Sequence, residues 1–104
     1  MVGLRDGKIV GYVVYWVLPG AVDIHNLAVH PSHRRDGVGR SLLQAVIRET
    51  RERGLKKVTL EVRKSNVVAQ RLYQSLGFVA HGVRKGYYSD NGEDALSMAL
   101  EVQG

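Results

Sequence analysis

The sequence contains no cysteine among its 104 residues. This absence excludes a disulfide framework, a cysteine-based zinc site and any chemistry that needs a thiol. A reducing compartment is compatible with it, and the cytoplasm is the expected location. The first residues agree with this expectation because they turn polar at Arg5-Asp6-Gly7, whereas a secretory signal continues into an apolar stretch.

Long apolar runs and prolines are also scarce. The longest apolar run, Tyr12–Leu18, is far shorter than the roughly 20 residues that span a bilayer, so no membrane-spanning helix is predicted. The prolines are Pro19 and Pro31, and the sequence shows no repeat, low-complexity tract or linker. With 44% apolar and 24% charged residues, a chain of this length can bury one core. We therefore expect a single domain over residues 1–104.

Acidic residues are outnumbered by basic ones. The chain has 15 Lys and Arg against 10 Asp and Glu, which gives a formal net charge of +5. A field of this sign concentrates anions, which favours a partner such as a phosphorylated cofactor or RNA. The net charge alone does not decide between these two partners.

The first third of the chain has the pattern of three β-strands. Arg5-Asp6-Gly7-Lys8 contains an Asp-Gly pair typical of a tight hairpin turn, and an apolar strand follows from Ile9 to Leu18. Pro19-Gly20 ends this strand, and Ala21 to Val29 forms the next one before His30-Pro31 stops it. The strand before the Asp-Gly turn has the weakest pattern of the three.

The rest of the chain alternates between helix and strand periodicity. Apolar residues recur at helical spacing from Val38 to Arg53, and again after a cap at Ser65 or Asn66 until Gly77. Between these helices, Val58–Val62 alternates apolar and polar residues as a half-buried strand does. Two closing strands follow, from Phe78 to Tyr88 and from Ala95 to Val102.

The predicted order is therefore β-β-β-α-β-α-β-β. A strand-helix-strand unit implies a parallel pair with a right-handed crossover, and the hairpins at both ends imply antiparallel pairs. The expected fold class is α/β, as an α+β arrangement built on a mixed sheet.

The segment Arg34–Arg40 is the first candidate for chemistry because it leads from a strand into an amphipathic helix. Gly37 and Gly39 let backbone N–H groups approach a ligand, and the helix N-terminus adds unpaired donors and a positive dipole end. Such a combination binds phosphate or pyrophosphate. It is neither the dinucleotide fingerprint Gly-x-Gly-x-x-Gly nor a Gly-Lys-Ser/Thr phosphate loop. A plain glycine-rich turn into a helix is the alternative.

Several ordered motifs resemble those of one enzyme family. Arg34-x-x-Gly37-x-Gly39 after Asn26–Pro31 resembles the acetyl-CoA signature of the GNAT superfamily of N-acetyltransferases. Leu60–Ala69, Leu72-Tyr73 and Leu76-Gly77-Phe78 resemble the RimI-type ribosomal-protein-alanine N-acetyltransferases, as do the tail motifs Gly86-Tyr87-Tyr88, Gly92–Ala95 and Met98–Leu100. The resemblance covers nearly the whole chain. It implies a GNAT-like acyl-CoA N-acyltransferase fold, acetyl-CoA as cosubstrate and no metal.

The resemblance also assigns residues to the cofactor. In the family, the strand that ends at Leu27-Ala28-Val29 separates from its parallel neighbour and pairs with the pantetheine arm. The turn is then expected to bind the pyrophosphate, with the cofactor set Arg34, Arg35, Asp36, Gly37, Val38, Gly39 and Arg40. Asn66 is expected to reach the pantetheine or its neighbouring loop. Core packing of Leu27 and Val29 and helix capping by Asn66 are the structural alternatives.

Glu61 and Tyr73 carry the catalytic roles that the resemblance implies. An amine attacks a thioester, so a proton must leave the amine and the departing thiolate must be reprotonated. Glu61 is the implied general base and Tyr73 the implied general acid, while Tyr87 and Tyr88 correspond to a stretch near the acceptor. Without the motifs, Glu61 reads as the polar side of a strand and Tyr73 as a core residue.

The histidines offer no metal site by their spacing. His25, His30, His33 and His81 lack the close helical pairing of a histidine-based site, and His30 and His33 are expected to face solvent in a loop.

The sequence departs from the family at its start, since family members usually open with another strand and two helices. The strand Ile9–Leu18 is apolar on both faces, so both need cover. A partner chain or further N-terminal residues are the expected cover, and a homodimer is one form of it.

Three functions remain open from the sequence. The first is acetyl transfer to a protein N-terminal α-amine, with a ribosomal protein as the expected acceptor. The second is acetyl transfer to a small-molecule amine. The third is a non-catalytic RNA- or ribosome-binding module, which rests on the net charge and on Arg34, Arg35, Lys56, Lys57, Arg63 and Lys64.

Overall fold

The computed structural model describes residues 1–34 and 36–102. Its strands are β1 (Val2–Arg5), β2 (Lys8–Leu18), β3 (Ala21–Val29), β4 (Lys57–Arg63), β5 (Val79–Tyr88) and β6 (Glu93–Glu101). Its α-helices are α1 (Val38–Glu52) and α2 (Val67–Ser75). The order of these elements confirms the prediction, with boundaries that differ by one or two residues.

The six strands form one mixed sheet in the order β1-β2-β3-β4-β6-β5. β3 and β4 are parallel, and every other neighbouring pair is antiparallel. Asp6 and Gly7, with φ of 51° and 75°, make the tight turn between β1 and β2 that the Asp-Gly pair predicts. The predicted mixed sheet is therefore confirmed.

Helix α1 packs on the sheet through the apolar stripe that its sequence predicts. Its buried residues include Val38, Leu42, Leu43 and Val46, and α1 touches β1, β2, β3 and β4. Gly11 on β2 permits this approach, because a Cβ there would lie 3.0 Å from Val38 Cγ1 and 2.9 Å from a backbone oxygen. A side chain at this position would force the helix away from the sheet.

Helix α2 joins the same core through Tyr73, whose ring lies 5.7 Å from the ring of Phe78. Gly77, at a φ of 100°, ends the helix and turns the chain towards β5. Within the described ranges, neither helix is long and apolar enough to cross a membrane.

The opposite face of the sheet, which we call the open face, carries an exposed apolar row on β2. This row consists of Tyr12, Val14, Trp16 and Leu18, which are 39%, 46%, 59% and 40% exposed. The other side of β2 is covered by α1, where Val13 is buried and the Tyr15 hydroxyl hydrogen-bonds to Glu49. The described residues therefore cover only one of the two apolar faces predicted for this strand.

The sequence pattern did not predict one element of the fold. Pro31–His33 forms a short 3₁₀-helix instead of a plain loop. His30 precedes it and its Nδ1 accepts a 3.2 Å hydrogen bond from the Ser32 backbone N–H. Histidine is not among the usual N-cap residues, so composition gave no signal for this helix.

Candidate functional site

The parallel strands β3 and β4 separate part of the way along their length. Their ladder runs from Ala21 opposite Lys57 to Ile24 opposite Leu60, whereas β3 continues to Val29 and β4 to Arg63. In the described pairing, the edge of β3 that faces β4 is therefore open beyond Ile24. This opening, which we call the cleft, is bordered on the β3 side by Leu27-Ala28-Val29.

A β-bulge lies at the position where the strands separate. Val14 lies opposite Asn26 and Tyr15 lies opposite Ile24, so His25 is an extra residue on β3. A bulge bends the strand that carries it and increases its local twist. The bulge falls directly after the last parallel pair of β3 and β4.

The glycine turn follows β3 and starts α1 at the end of the cleft. Gly37 is the N-cap of α1 with a φ of 76°, and in the described part of the chain no side chain caps the helix. The backbone N–H groups at the start of a helix lack intrahelical acceptors and carry the positive end of the dipole. The first turn has no acidic residue to satisfy them. An anion can therefore bind there.

Gly39 lies where both helices and β3 come close together. A Cβ at this position would lie 3.6 Å from Leu72 Cδ2 of α2 and 3.6 Å from Val29 Cγ2 of β3. The lack of a side chain leaves a narrow space between these three elements. Gly39 thus lies at the start of α1, beside the strand that borders the cleft.

Other residues of the turn are engaged within the protein. The Arg5 guanidinium donates a 3.0 Å hydrogen bond to the Asp36 backbone oxygen, and the Asp36 carboxylate lies 2.9 Å from His33 Nδ1. The Arg40 guanidinium donates a 2.7 Å hydrogen bond to Ser75 Oγ at the end of α2. Arg34 is exposed, and Arg35 lies outside the described residues.

Two of the residues assigned to the cofactor have structural roles in this chain. The Val38 side chain is buried in the core, so only its backbone N–H can face a ligand. Asn66 is the N-cap of α2, and its Oδ1 accepts a 3.1 Å hydrogen bond from the Ala69 N–H. The capping alternative therefore holds for the Asn66 oxygen, while its side-chain N–H groups can still donate.

Glu61 is on β4, one position beyond the last parallel pair, and points to the open face. The Ser97 hydroxyl donates to its Oε2, and the Arg84 guanidinium lies 3.7 Å from its Oε1. Each carboxylate oxygen thus has a partner from another strand. The carboxylate is half-buried in the wall of the cleft.

Tyr73 is a buried residue of α2, only 7% exposed. Burial raises the pKa of its hydroxyl above the usual value, and the nearby Tyr88 adds to this rise. The phenol therefore stays protonated at neutral pH, as a general acid must.

Tyr88 lies near both residues assigned to catalysis, Glu61 and Tyr73. Burial raises the pKa of Tyr88, the cation of Arg63 opposes this, and Glu61 is close enough to raise it electrostatically. The Arg63 guanidinium lies 4.0 Å from the centre of the Tyr88 ring. In the described residues Glu61 and Tyr73 do not hydrogen-bond to each other, but both lie within electrostatic reach of Tyr88.

Tyr87 and Tyr88 form an aromatic pair at the end of β5. Their rings are 5.0 Å apart in an edge-to-face arrangement, and the Arg84 guanidinium lies 4.8 Å from the Tyr87 ring. Arg84 therefore contacts both the Glu61 carboxylate and this aromatic pair.

A further polar cluster on the open face was missed by the sequence reading. His25 Nε2 lies 3.1 Å from Asp23 Oδ2, and the Thr59 hydroxyl donates a 2.6 Å hydrogen bond to Asp23 Oδ1. Trp16 of β2 stacks on the His25 ring with a centroid separation of 4.5 Å. The Asp-x-His spacing on a strand was the available signal, because residues two apart share a face.

Comparisons with known proteins agree with this arrangement. The sequence profile of the Acetyltransferase (GNAT) family matches residues 1–78 of the chain. A protein of Escherichia coli K12, named [ribosomal protein bS18]-alanine N-acetyltransferase, is 40% identical over 100 residues. The alignment covers 94% of this chain and 68% of that protein. A Bacillus subtilis protein, provisionally named for the same activity, is 39% identical over 98 residues, which cover 94% of this chain and 65% of its own.

Solved structures show the same fold. The crystal structure of the ribosomal-protein-S18-alanine N-acetyltransferase from Escherichia coli matches with a TM-score of 0.90 and 39% sequence identity. The match covers 97% of this chain and 66% of that one. This chain thus spans about two thirds of the length of the relatives it matches.

Proposed function

Because the chain belongs to the acetyltransferase (GNAT) family, we propose that it transfers the acetyl group of acetyl-CoA to the α-amine of a protein N-terminus, and that the acceptor is a ribosomal protein. The names of its relatives support the ribosomal acceptor. The observation that carries the proposal is the juxtaposition of an open strand edge with an uncapped helix N-terminus. A ribosomal acceptor also supports a cytoplasmic location.

Two features of the chain fit the two halves of acetyl-CoA. The open edge of β3 at Leu27–Val29 offers backbone groups to the amides of the pantetheine arm, as an added strand would. The N–H groups of Val38, Gly39 and Arg40 at the start of α1 suit the pyrophosphate. Arg34, Arg35 and the Asn66 amide complete the proposed set.

The direction of the bound arm follows from this placement. From the pyrophosphate site, an extended arm would run back along β3 from Val29 towards Ile24. This distance is about 16 Å at roughly 3.3 Å per residue. The thioester would then lie where the strands separate, next to Glu61 on β4.

The chemistry that bound acetyl-CoA supplies is an activated thioester carbonyl. In the proposed reaction the N–C bond forms as the C–S bond breaks, Glu61 accepts a proton from the acceptor nitrogen, and Tyr73 protonates the departing sulfur. Proton exchange with water then returns both side chains to their starting states. The Tyr73 phenol carries this proton at neutral pH, since its pKa lies above the usual value near 10. Tyr87 and Tyr88 would form the wall against which the acceptor chain lies.

The acceptor chemistry favours an N-terminus over a lysine side chain. At pH 7.5 an α-amine with a pKa near 7.8 is about one-third neutral, whereas a lysine near 10.4 is neutral about one time in a thousand. A carboxylate base can therefore serve an α-amine without a strongly desolvated pocket.

A thermal-shift titration with acetyl-CoA tests the cofactor proposal. Ligand at about 100 times its dissociation constant should stabilise the fold by about 2.7 kcal/mol. If acetyl-CoA gives no shift while a short RNA binds tightly and in a salt-sensitive manner, the chain is an RNA-binding module instead.

Peptides with free and blocked N-termini test the acceptor proposal. The chain should acetylate a free N-terminal peptide and spare the same peptide with a blocked N-terminus and an internal lysine. Equal reaction of both peptides would contradict the α-amine assignment. Reaction of small amines alone would point to the small-molecule alternative.

We also propose that the chain self-associates through the exposed row on β2. Tyr12, Val14, Trp16 and Leu18 form a contiguous apolar strip on the open face. Exposed strips of this kind mark interaction surfaces.

A further inference from the structure

Arg63 is an ion-paired residue at the end of β4, two positions beyond Glu61. Its guanidinium donates a 2.9 Å hydrogen bond to Asp90 Oδ2 and a 3.3 Å hydrogen bond to Glu93 Oε1. The same group lies 4.0 Å from the centre of the Tyr88 ring. Because a guanidinium is planar, its edge can donate to carboxylates while its face stacks on an aromatic ring. Arg63 therefore contacts the β5–β6 turn and the last residue of β5 together.

The end of β5 is not held in a regular ladder. Arg84 lies opposite Ala95 of β6. The next described pair is Tyr88 opposite Glu93, so β5 has three residues in an interval where β6 has one. An irregularity of this kind bends a strand and changes where its side chains point. The direction of the Tyr88 ring therefore depends on its side-chain contacts, of which the Arg63 guanidinium is one.

The Tyr88 ring lies where the acceptor chain is proposed to bind. With Tyr87 it forms the aromatic pair that we assign to the wall of the acceptor site, with ring centres 5.0 Å apart. Glu61 is close enough to raise the pKa of Tyr88, and Tyr88 is close enough to raise the pKa of Tyr73. A shift of this ring would therefore change the surface beside the proposed acid and base.

We propose that Arg63 is a positioning residue of the acceptor site, which holds the Tyr88 ring in the wall that the acceptor peptide contacts. The inference rests on the proposed function. Asp90 and Glu93 hold the guanidinium from its edge, and the guanidinium holds the ring from its face. Arg63 acts through this ring and not on the reacting atoms, so its replacement should weaken acceptor binding and leave proton transfer intact.

A purely structural role for Arg63 is the alternative, in which it only ties the β5–β6 turn to β4. The backbone makes the same connection without the Arg63 side chain. The Ser65 N–H donates a 2.8 Å hydrogen bond to Glu93 Oε2, and the Lys64 N–H donates a 3.1 Å hydrogen bond to the Asp94 backbone oxygen. We therefore expect Arg63 variants to fold and to keep the turn beside β4, which allows their kinetics to be measured.

The first test examines the stack in the chain alone and needs no turnover. An aromatic ring current moves the NMR signals of a group above the ring upfield. The Arg63 side-chain signals, assigned by their loss in Arg63→Lys, should therefore lie upfield of the usual arginine range. Tyr88→Leu should return them to that range, whereas the control Tyr12→Leu on β2 should leave them displaced. Signals unaffected by Tyr88→Leu would overturn the proposal.

The second test measures KM and kcat separately for a free N-terminal peptide. Arg63→Lys keeps the charge but loses the planar group that contacts two carboxylates and the ring together. We expect the peptide KM to rise about fivefold to tenfold, the size of a partly buried cation–π contact. Because only binding is lost, kcat and the dissociation constant of acetyl-CoA should stay within about twofold.

Arg53→Lys is the matched control for Arg63→Lys. Arg53 follows the last residue of α1, and its guanidinium lies 3.2 Å from the Glu49 carboxylate. The variant makes the same chemical change in another arginine–carboxylate pair, and it should leave KM and kcat unchanged. An unchanged KM in Arg63→Lys, or a lower kcat at the same KM, would overturn the positioning role.

A double variant decides whether Arg63 acts through Tyr88. Tyr88→Leu should itself raise the peptide KM, and Arg63→Lys should add nothing to that rise, because the ring that it positions is already gone. A merely structural role would not produce this dependence, since two independent losses combine. KM effects that multiply in the double variant would therefore contradict the proposal.

The two proposals fail in different ways. No turnover by the unaltered chain would refute the proposed function, and the Arg63 role with it. Turnover by the unaltered chain with the same peptide KM in Arg63→Lys would refute the Arg63 role alone.

Discussion

Ile24 and Leu60 are the last residues of β3 and β4 that pair with each other. Up to this pair the two strands form an ordinary buried parallel ladder. Beyond it, His25 bulges out of β3 and Glu61 turns to the open face. The residues of the proposed site lie at or beyond this point. The end of the β3–β4 ladder therefore marks where the proposed site begins.

Gly39→Ala should weaken acetyl-CoA binding without harming the fold. The added Cβ would be in ordinary contact with Leu72 and Val29 at 3.6 Å, so the helix can accept it. Replacing a helical glycine by alanine stabilises a helix by up to about 1 kcal/mol. The same Cβ narrows the space that the cofactor is proposed to enter, and we expect about a tenfold or greater loss of affinity by calorimetry.

Ser41→Ala in the same turn of α1 is the matched control for Gly39→Ala. It should leave both the melting temperature and the affinity close to those of the unaltered chain. Unchanged affinity in Gly39→Ala would mean that the cofactor does not pass between α1 and α2.

Glu61→Gln and Tyr73→Phe should each lower turnover by roughly 10²–10⁴-fold, the usual contribution of a general base or acid. Both changes keep the size of the side chain. The dissociation constant of acetyl-CoA should change little, because neither residue belongs to the proposed cofactor set. Steady-state kinetics and calorimetry on the same samples check both parts.

Tyr12→Phe on the open face is the control for Tyr73→Phe and should keep its turnover. If Glu61→Gln and Tyr73→Phe both retain full turnover, the assigned pair is wrong.

Glu93→Gln should reduce stability at neutral pH and have little effect in acid. Hydrogen bonds from Ser65 hold the pKa of Glu93 below its usual range, with Arg63 adding to the effect. A lowered folded pKa contributes stability above the unfolded pKa, near 4.3, and this contribution is lost as the pH falls through the folded value. The difference in urea midpoint between the two proteins should therefore shrink from pH 7 to pH 3.

Glu101→Gln at the end of β6 removes one carboxylate at another position and is the matched acidic control for this comparison. A difference for Glu93→Gln that stays constant from pH 7 to pH 3 would contradict the ionic role of Glu93.

Sedimentation at micromolar concentration should show a dimer or larger species. Val14→Lys places a charge in the centre of the exposed row on β2 and should shift the chain to a monomer. Val68→Lys on α2 adds the same charge at a residue that is 81% exposed, and it should leave the association unchanged. A monomer in the unaltered chain would refute self-association.

The sequence predicted the elements because their signals are local. The Asp-Gly turn, the helical spacing from Val38 and the alternation around Leu60 depend on residues within one or two turns of each other. The order of strands and helices then limited the sheet to a mixed arrangement, since parallel neighbours need a crossover. The helix at Pro31–His33 was not predicted, because the residue that caps it is a histidine.

The contacts of the site residues with side chains on other strands could not be predicted from local sequence patterns. Ser97 and Arg84 reach Glu61 from strands that follow it by more than twenty positions, and their meeting depends on the register of β5, β6 and β4. Register is fixed by the packing of buried faces across the whole sheet, which no local pattern contains.

The sequence by itself determined the order of the strands and helices and the positions of the glycine turn, the Glu61 carboxylate and the Tyr73 phenol along the chain. Tertiary structure alone decided that β3 leaves β4 after Ile24 and that a bulge brings His25 beside Trp16 and Asp23. The physical reason is that a bulge and a strand separation are set by which backbone groups find partners in neighbouring strands. That choice is made by the assembled sheet and by no single segment of the chain.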